Sequence, residues 1–299
     1  MTGHGASMDL HEFGAITSVV VSRHGEIVHE QYLEGDLDTL HSTRSCAKTV
    51  LGMLVGIAIA DGLIGGVDVS LGDLLTDRSI DPAKAPITIE QLLTMSSALD
   101  CNDWDEMSPG NEDLMYPSRD WAQFALDLPV RDRVGFSYCT AGVLLLGVAL
   151  AATIGERLSR YAERRLFPVV GVERYRWPRT PRDEDSAAGG LMLTSRAWLN
   201  LGMLYLEGGR GAVASSWISE STRAHARIDE RTQYGYLWWL RSFGGHDSYY
   251  MSGMGGNRVH VFPDLELVAV ITSKNFNVPR PHDLTDRLLV DEVLARYAA

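Results

Sequence analysis

The stretch Ser45-Cys46-Ala47-Lys48 decides how this chain is read. It sets a hydroxyl and an amine three residues apart at the head of an apolar run. Three residues is close to one helical turn, so on a helix the two side chains share a face. Val50, Leu51, Leu54, Val55 and Ile59 follow at helical spacing and Gly62 ends the run, which predicts that helix. A serine hydroxyl is a poor nucleophile until a base takes its proton, and a neutral amine is such a base. The chain has three lysines, Lys48, Lys84 and Lys274, against 24 arginines, and arginine stays protonated. A lysine one turn into so apolar a helix is expected to be partly buried, and a buried lysine needs a reason to be there.

To either side of this helix the pattern changes. Ile16 to Ser22 is β-branched, His24-Gly25 is a turn and Ile27 to Leu33 alternates, which predicts a hairpin. Downstream, Thr88-Ile89-Glu90-Gln91 is a capping box opening a helix over Glu90 to Met95. Helices are also predicted from Ser118 as cap through Leu126, over Ala141 to Ile154, Leu158 to Leu166 and Thr194 to Leu206. From there strands dominate: Tyr234 to Arg241, Tyr249 to Ser252, Asn257 to Pro263 and Leu267 to Ser273, before a closing amphipathic helix over His282 to Tyr297. Two N-terminal strands cannot stand alone, so they are expected to pair with the C-terminal ones. The expected class is α+β: an antiparallel sheet from residues 1–40 and 207–299, flanked by helices, with residues 41–206 as an all-helical part. The crevice between the two is the natural place for a site.

The chain has 299 residues, 45% apolar and 22% charged, which is ordinary globular composition. A formal charge of −12 argues against nucleic acid or an anionic membrane as partner. Met1 to His11 lacks the charged-then-apolar signal pattern, and no run approaches spanning length. Cys46, Cys101 and Cys139 have no framework spacing, and no His/Cys cluster has zinc spacing. A cytoplasmic protein with reduced thiols and neither metal nor cofactor is expected.

Two further segments join the first. One is Phe136-Ser137-Tyr138-Cys139-Thr140-Ala141-Gly142, running into Leu144-Leu145-Leu146-Gly147. The other is Met251-Ser252-Gly253-Met254-Gly255-Gly256-Asn257, running into a strand that ends Phe262-Pro263-Asp264. In order and spacing the three resemble the serine hydrolases related to class C β-lactamases and penicillin-recognising enzymes. The text looks closest to the 6-aminohexanoate-oligomer hydrolases and their esterase relatives. The resemblance runs from about Phe13 to about Asn277, with support from Ile87 to Ala98, Ala187 to Thr194 and Tyr234 to Trp239.

The resemblance implies a β-lactamase-like fold and gives each motif a role. Ser45 looks like the nucleophile that becomes acylated, Lys48 like its proton partner, and Tyr138 like the tyrosine that shares the base role. The N–H groups of Ser45 and Met254 match the two oxyanion-hole donors. Such a lysine–tyrosine pair shares one proton and titrates as a unit. Thr140, Ser252 and Gly253 fall at substrate-binding positions. Two departures stand out. Thr140 replaces the asparagine whose amide grips a β-lactam, and Met251 replaces the cationic or donor residue that opens the third motif. Both predict poor β-lactamase activity and point to esters, simple amides or activated acyl donors.

Three readings of function follow. One is hydrolysis through an acyl-Ser45 intermediate. Another is transfer of that acyl group to an amine or alcohol acceptor. The third is a non-catalytic binding protein on the same fold, against which the intact Ser45, Lys48 and Tyr138 argue. The loop Asp100 to Tyr116 carries six acids and no base, a solvated loop by default or a field that favours amine-bearing substrates, with Trp104, Asn111 and Tyr116 as pocket wall. Cys46 and Cys139, each beside a site residue, are expected to be small buried side chains.

Overall fold

The computed structural model describes residues 7–132 and 135–298. Strand β1 (Ile16–Arg23) folds back on β2 (Glu26–Tyr32) through His24-Gly25, both with positive φ (50° and 80°). Positive φ at both turn residues matches the right-handed twist of a tight hairpin. β3 (His41–Ser42) and β4 (Met192–Leu193) form a small separate ladder. The other strands are β5 (Ala226–Arg227), β6 (Gln233–Tyr234), β7 (Trp239–Phe243), β8 (His246–Gly253), β9 (Asn257–Phe262) and β10 (Leu267–Ser273). The main sheet has the order β2-β1-β10-β9-β8-β7-β6-β5, and every pairing is antiparallel. The N-terminal hairpin therefore joins the C-terminal strands through β1 and β10, as its length required.

Strand periodicity sorts the central side chains onto two faces. Val20, Val270 and Val259 lie in one register row and join the main core. Val19, Val21, Ala269 and Ile271 point the other way and pack with Leu288, Leu289 and Val293 of the C-terminal helical segment. Each such aliphatic side chain contributes about 1.5–3 kcal/mol when fully buried. On the first face the helix Ser195–Leu206 lies against β1, β9 and β10. It comes so close at Gly202 that an added Cβ would stand 2.6 Å from Val268 Cγ1. This helix, grouped by sequence with the helical part, thus rests directly on the sheet.

The helix Cys46–Ala60 is buried on every side from Cys46 to Ala58, so it runs through the core rather than over it. Thr140–Ile154 is likewise apolar and mostly buried. Among the described residues no single helix is long and apolar enough to cross a membrane.

Three local expectations need correction, and some short elements had none. The strand expected over Tyr234 to Arg241 is broken into β6 and β7, because Leu237 takes φ 60° and its N–H donates to Leu93 O. The helix expected from Ser118 starts at Trp121, with the Asp120 carboxylate accepting from Gln123 N–H. The closing helix is regular only over Pro281–Leu288 and then widens into a π-helical turn over Leu289–Leu294. The strand β5 and the helices Glu112–Met115 and Ser215–Ser221 have no counterpart in the sequence reading, being too short to show a period.

Candidate active site

Ser45 sits where β3 turns into the helix Cys46–Ala60. The residue before it, Arg44, has φ 55°, a left-handed conformation that costs a non-glycine residue about 1–3 kcal/mol. The turn is braced from outside: Gly190 N–H donates to Arg44 O at 3.1 Å, and β4 pairs with β3. Ser45 is the N-cap residue, yet its hydroxyl caps nothing. It meets Lys48 Nζ at 2.9 Å instead, one helical turn on.

Lys48 is 2% exposed. A second partner, Ala188 O at 2.6 Å, comes from the connector before β4 and holds the amine against Ser45. Nζ also stands 5.3 Å from the centroid of the Tyr138 ring. Tyr138, from the loop before Thr140–Ile154, lines the same cavity as Ser45. Burial pushes its phenol above its ordinary value, while the Lys48 charge and then the Ser45 hydroxyl pull it back. Ser45, Lys48 and Tyr138 thus meet in one place, although 93 residues separate the first from the last.

The third motif closes the other side. β8 ends at Gly253 so close to the nucleophile loop that an added Cβ would lie 1.8 Å from Thr43 O and 3.2 Å from Ser45 N. Only glycine admits that approach, which brings the start of the Met254 peptide beside the Ser45 N–H. Gly255 and Gly256, with φ 81° and 86°, then turn the chain into β9. Asn257 ties the turn down, donating to Met254 O at 2.8 Å and Ser273 O at 3.0 Å. The Met254 side chain, 54% exposed, is free of these constraints. The helix Cys46–Ala60 also directs its N-terminal dipole end at this point, which favours negative charge there.

A cavity of about 470 Å³ opens over Ser45. Trp104, Tyr138, Ser252, Gly253 and Met254 line it with Ser45. Trp104, 57% exposed, stacks on the Tyr138 ring at 5.6 Å between centroids and 5° between planes. Three expected pocket residues do not line the cavity. Thr140 is fully buried, with its N–H donating to Asp103 Oδ2. Asn111 turns inward to Asp103 O and Asp105 O. Tyr116 spends its hydroxyl on Glu112 Oε2.

The cavity has walls that the motifs did not announce. Asp103 and Glu112, from the acidic loop, bring carboxylates to one side. Loss of solvent raises Asp103 above the ordinary carboxylate range, against the opposing effects of Thr140 and the Lys48 charge. On the far side stand Tyr250, Arg258 and His282. Arg258 is 5% exposed, donates from Nη1 to Ser252 Oγ and lies 5.2 Å from the Tyr250 ring centroid. Its Nε comes within 3.5 Å of Asp286 Oδ1, a carboxylate that also pairs with Arg241. Burial and then the Arg258 charge push His282 down to about 2, so its ring is neutral. Arg258 was within reach of sequence reasoning: a three-residue turn, Met254 to Gly256, between Gly253 and Asn257 puts it opposite Ser252 in the ladder.

The thiols play structural parts. All three cysteines are free and buried. Burial pushes Cys46 up to about 12, out of range of the reactive thiolate. Cys139 caps Thr140–Ile154, its Sγ accepting from Gly142 N–H at 3.1 Å.

The β-lactamase family profile matches residues 14–294, and the chain belongs to that family of serine hydrolases acting on amide and ester bonds. Solved structures agree on the fold. A Bacillus anthracis protein assigned as a 6-aminohexanoate-dimer hydrolase superposes with a TM-score of 0.80 at 18% identity, over 98% of this chain and 83% of its own. EstCE1, a hydrolase with promiscuous acyltransferase activity, gives 0.75 at 15% identity, over 92% and 95%. The class C β-lactamase of Rhodobacter sphaeroides gives 0.68 at 16% identity, over 95% and 97%. No curated protein matches the sequence.

Proposed function

We propose that this protein hydrolyses an ester or amide bond of a small molecule through an acyl group carried on Ser45. One observation carries the reading: the Ser45 hydroxyl, on a cavity of about 470 Å³, lies 2.9 Å from the amine of a buried lysine, and that amine stands 5.3 Å from the centre of the Tyr138 ring. Ser45 Oγ attacks the carbonyl carbon while its proton passes to the Lys48–Tyr138 pair. The carbonyl oxygen becomes an oxyanion held by the N–H groups of Ser45 and Met254, a contribution of about 3–4 kcal/mol per donor in comparable sites. Collapse breaks the bond to the leaving group, which takes the proton back from the pair. Water then repeats the sequence on the acyl-Ser45 ester and releases the acid.

The far wall narrows the substrate. Arg258 and Arg241 both pair with Asp286, and the Arg258 guanidinium faces the cavity beside Ser252. Among the described residues, Arg258 Nε and His282 Nδ1 have no hydrogen-bond partner. An acyl donor bearing a carboxylate or similar anion suits this wall, and Arg258 supplies the cation that Met251, buried and turned to the core, does not. A second reading, transfer to an amine, draws support from Asp103 and Glu112 on the opposite wall, where an ammonium would be attracted.

Intact mass spectrometry with p-nitrophenyl esters tests the proposal. A mass increase equal to the acyl group, absent in Ser45→Ala, is expected. Absence of labelling by both esters and a fluorophosphonate in the folded wild-type protein would refute it. Loss of the acyl group with and without an added amine separates hydrolysis from transfer.

A further inference from the structure

Asp103 brackets Cys139, the residue that follows Tyr138. Its own N–H donates to Tyr138 O at 2.8 Å, and its Oδ2 accepts from Thr140 N–H at 2.8 Å. Its Oδ1 accepts from Glu112 N–H at 3.0 Å, and its carbonyl oxygen takes Asn111 Nδ2 at 3.3 Å. Both carboxylate oxygens therefore face N–H donors, the arrangement of an ionised, acceptor-only carboxylate. Thr140 opens a 15-residue helix, whose N-terminal dipole end attracts the same charge. Yet the side chain is not sealed in the scaffold, because it also lines the cavity with Ser45 and Tyr138.

We propose that Asp103 is a positioning residue for Tyr138 and, through its charge, sets the proton affinity of the Lys48–Tyr138 pair. The inference rests on the catalytic reading above. The clamp fixes the backbone immediately after Tyr138, and so constrains where the phenol stands relative to Ser45. The charge acts on the pair at a distance: a carboxylate favours an ammonium and disfavours a phenolate, and both effects hold the proton on the pair more tightly. The titratable groups facing Tyr138 are Lys48, Asp103, Glu112, Tyr116 and Tyr234, of which Lys48 carries the cation and Asp103 and Glu112 the negative charge. Asp103 differs from Glu112 in holding the Tyr138 segment directly.

Two variants separate position from charge. Asp103→Asn removes the charge and one acceptor, and Asp103→Glu keeps the charge but lengthens the clamp by one methylene. The readout is the rate of fluorophosphonate labelling of Ser45 against pH, with a thermal melt on each protein. Asp103→Asn is expected to lower the plateau rate by about 10- to 100-fold and to move the acid limb to lower pH, because the pair binds its proton less tightly. Asp103→Glu is expected to lower the plateau with the limb in its wild-type place, and it alone carries the positioning test if Asp103→Asn does not fold. Unchanged plateaus in both variants would overturn the inference, and so would a lowered plateau in Asp103→Asn with an unmoved limb. A wild-type protein that is not labelled at all is a different result: it defeats the catalytic reading and the inference with it.

Discussion

Ser252 and Arg258 stand directly opposite each other in the β8–β9 ladder, and the Arg258 guanidinium donates to the Ser252 hydroxyl. The cation at this wall therefore comes from the neighbouring strand rather than from the motif itself. Arg258→Met is expected to lower kcat/KM about 10- to 100-fold for esters with a terminal carboxylate, the equivalent of one charge-assisted hydrogen bond of about 1.5–3 kcal/mol. Matched neutral esters should change little. Equal losses on both series would show that Arg258 serves only the fold.

Lysine at position 48 is expected to be irreplaceable by arginine. Lys48→Arg keeps charge and length but not the ability to become neutral, so it should lose acylation about 10²- to 10⁴-fold, like Lys48→Ala. Stopped-flow release of p-nitrophenol measures this. Substantial activity in Lys48→Arg would move the base role away from the amine.

Slow turnover is expected with nitrocefin. Arg258 can meet its carboxylate, but on the opposite side Thr140 is buried and offers no side-chain amide to the cavity. A spectrophotometric assay with purified protein checks this, and rapid hydrolysis would contradict it.

Gly253→Ala should damage stability and activity together. The new Cβ would lie 1.8 Å from Thr43 O, a backbone atom, so either β8 or the nucleophile loop has to move. Overpacking of this kind costs about 1–3 kcal/mol, read from denaturant midpoints. Labelling of Ser45 should slow in parallel, because the displaced element carries either the nucleophile or an oxyanion donor.

Stability is expected to fall as the solution is acidified below about pH 6.5, the ordinary histidine value. Burial pushes His41, His260 and His282 down, with the Arg258 charge adding to the effect on the last two. A depressed folded-state value means that the unfolded chain binds the proton first. The stability these rings contribute is therefore complete above their unfolded value and is lost as pH falls towards the folded one. Each fully neutral ring accounts for about 1.4 kcal/mol per pH unit. His282→Gln should flatten the dependence between pH 7 and pH 5 by about one proton, as measured by urea denaturation at each pH. An unchanged slope would show that His282 is already protonated in the folded protein.

Much of this architecture was legible from residue patterns. The β-branched run at Val19-Val20-Val21, the capping box at Thr88 and the apolar helix after Ser45 each state their structure locally. Ser45 and Lys48 were legible as a hydroxyl and an amine one helical turn apart, and Tyr138 through the resemblance of its segment. The rest was decided by contacts that no spacing encodes. Leu237 breaks a strand because its backbone donates to a distant helix end, and Thr140 lies inside the core because Asp103 takes its N–H. Asn111 reads as a polar pocket residue but is used up holding its own loop. Arg258 and Asp103 belong to the site through partners that lie in other segments, so their roles emerge only when those segments meet.

The placement of β1 next to β10 has a consequence in time. Ser45 and Lys48 stand at the head of a helix complete by residue 60, but Met254 lies in the β8–β9 turn, in a C-terminal meander that meets the N-terminal hairpin only when β10 closes onto β1. The pairing Val20↔Val270 spans almost the whole chain, a long-range closure that makes late and slow assembly the expected course. Until the β8–β9 turn docks against the loop before Ser45, the Ser45 N–H has no Met254 peptide beside it. Acylation of Ser45 therefore reports that the last strands have reached the first helix.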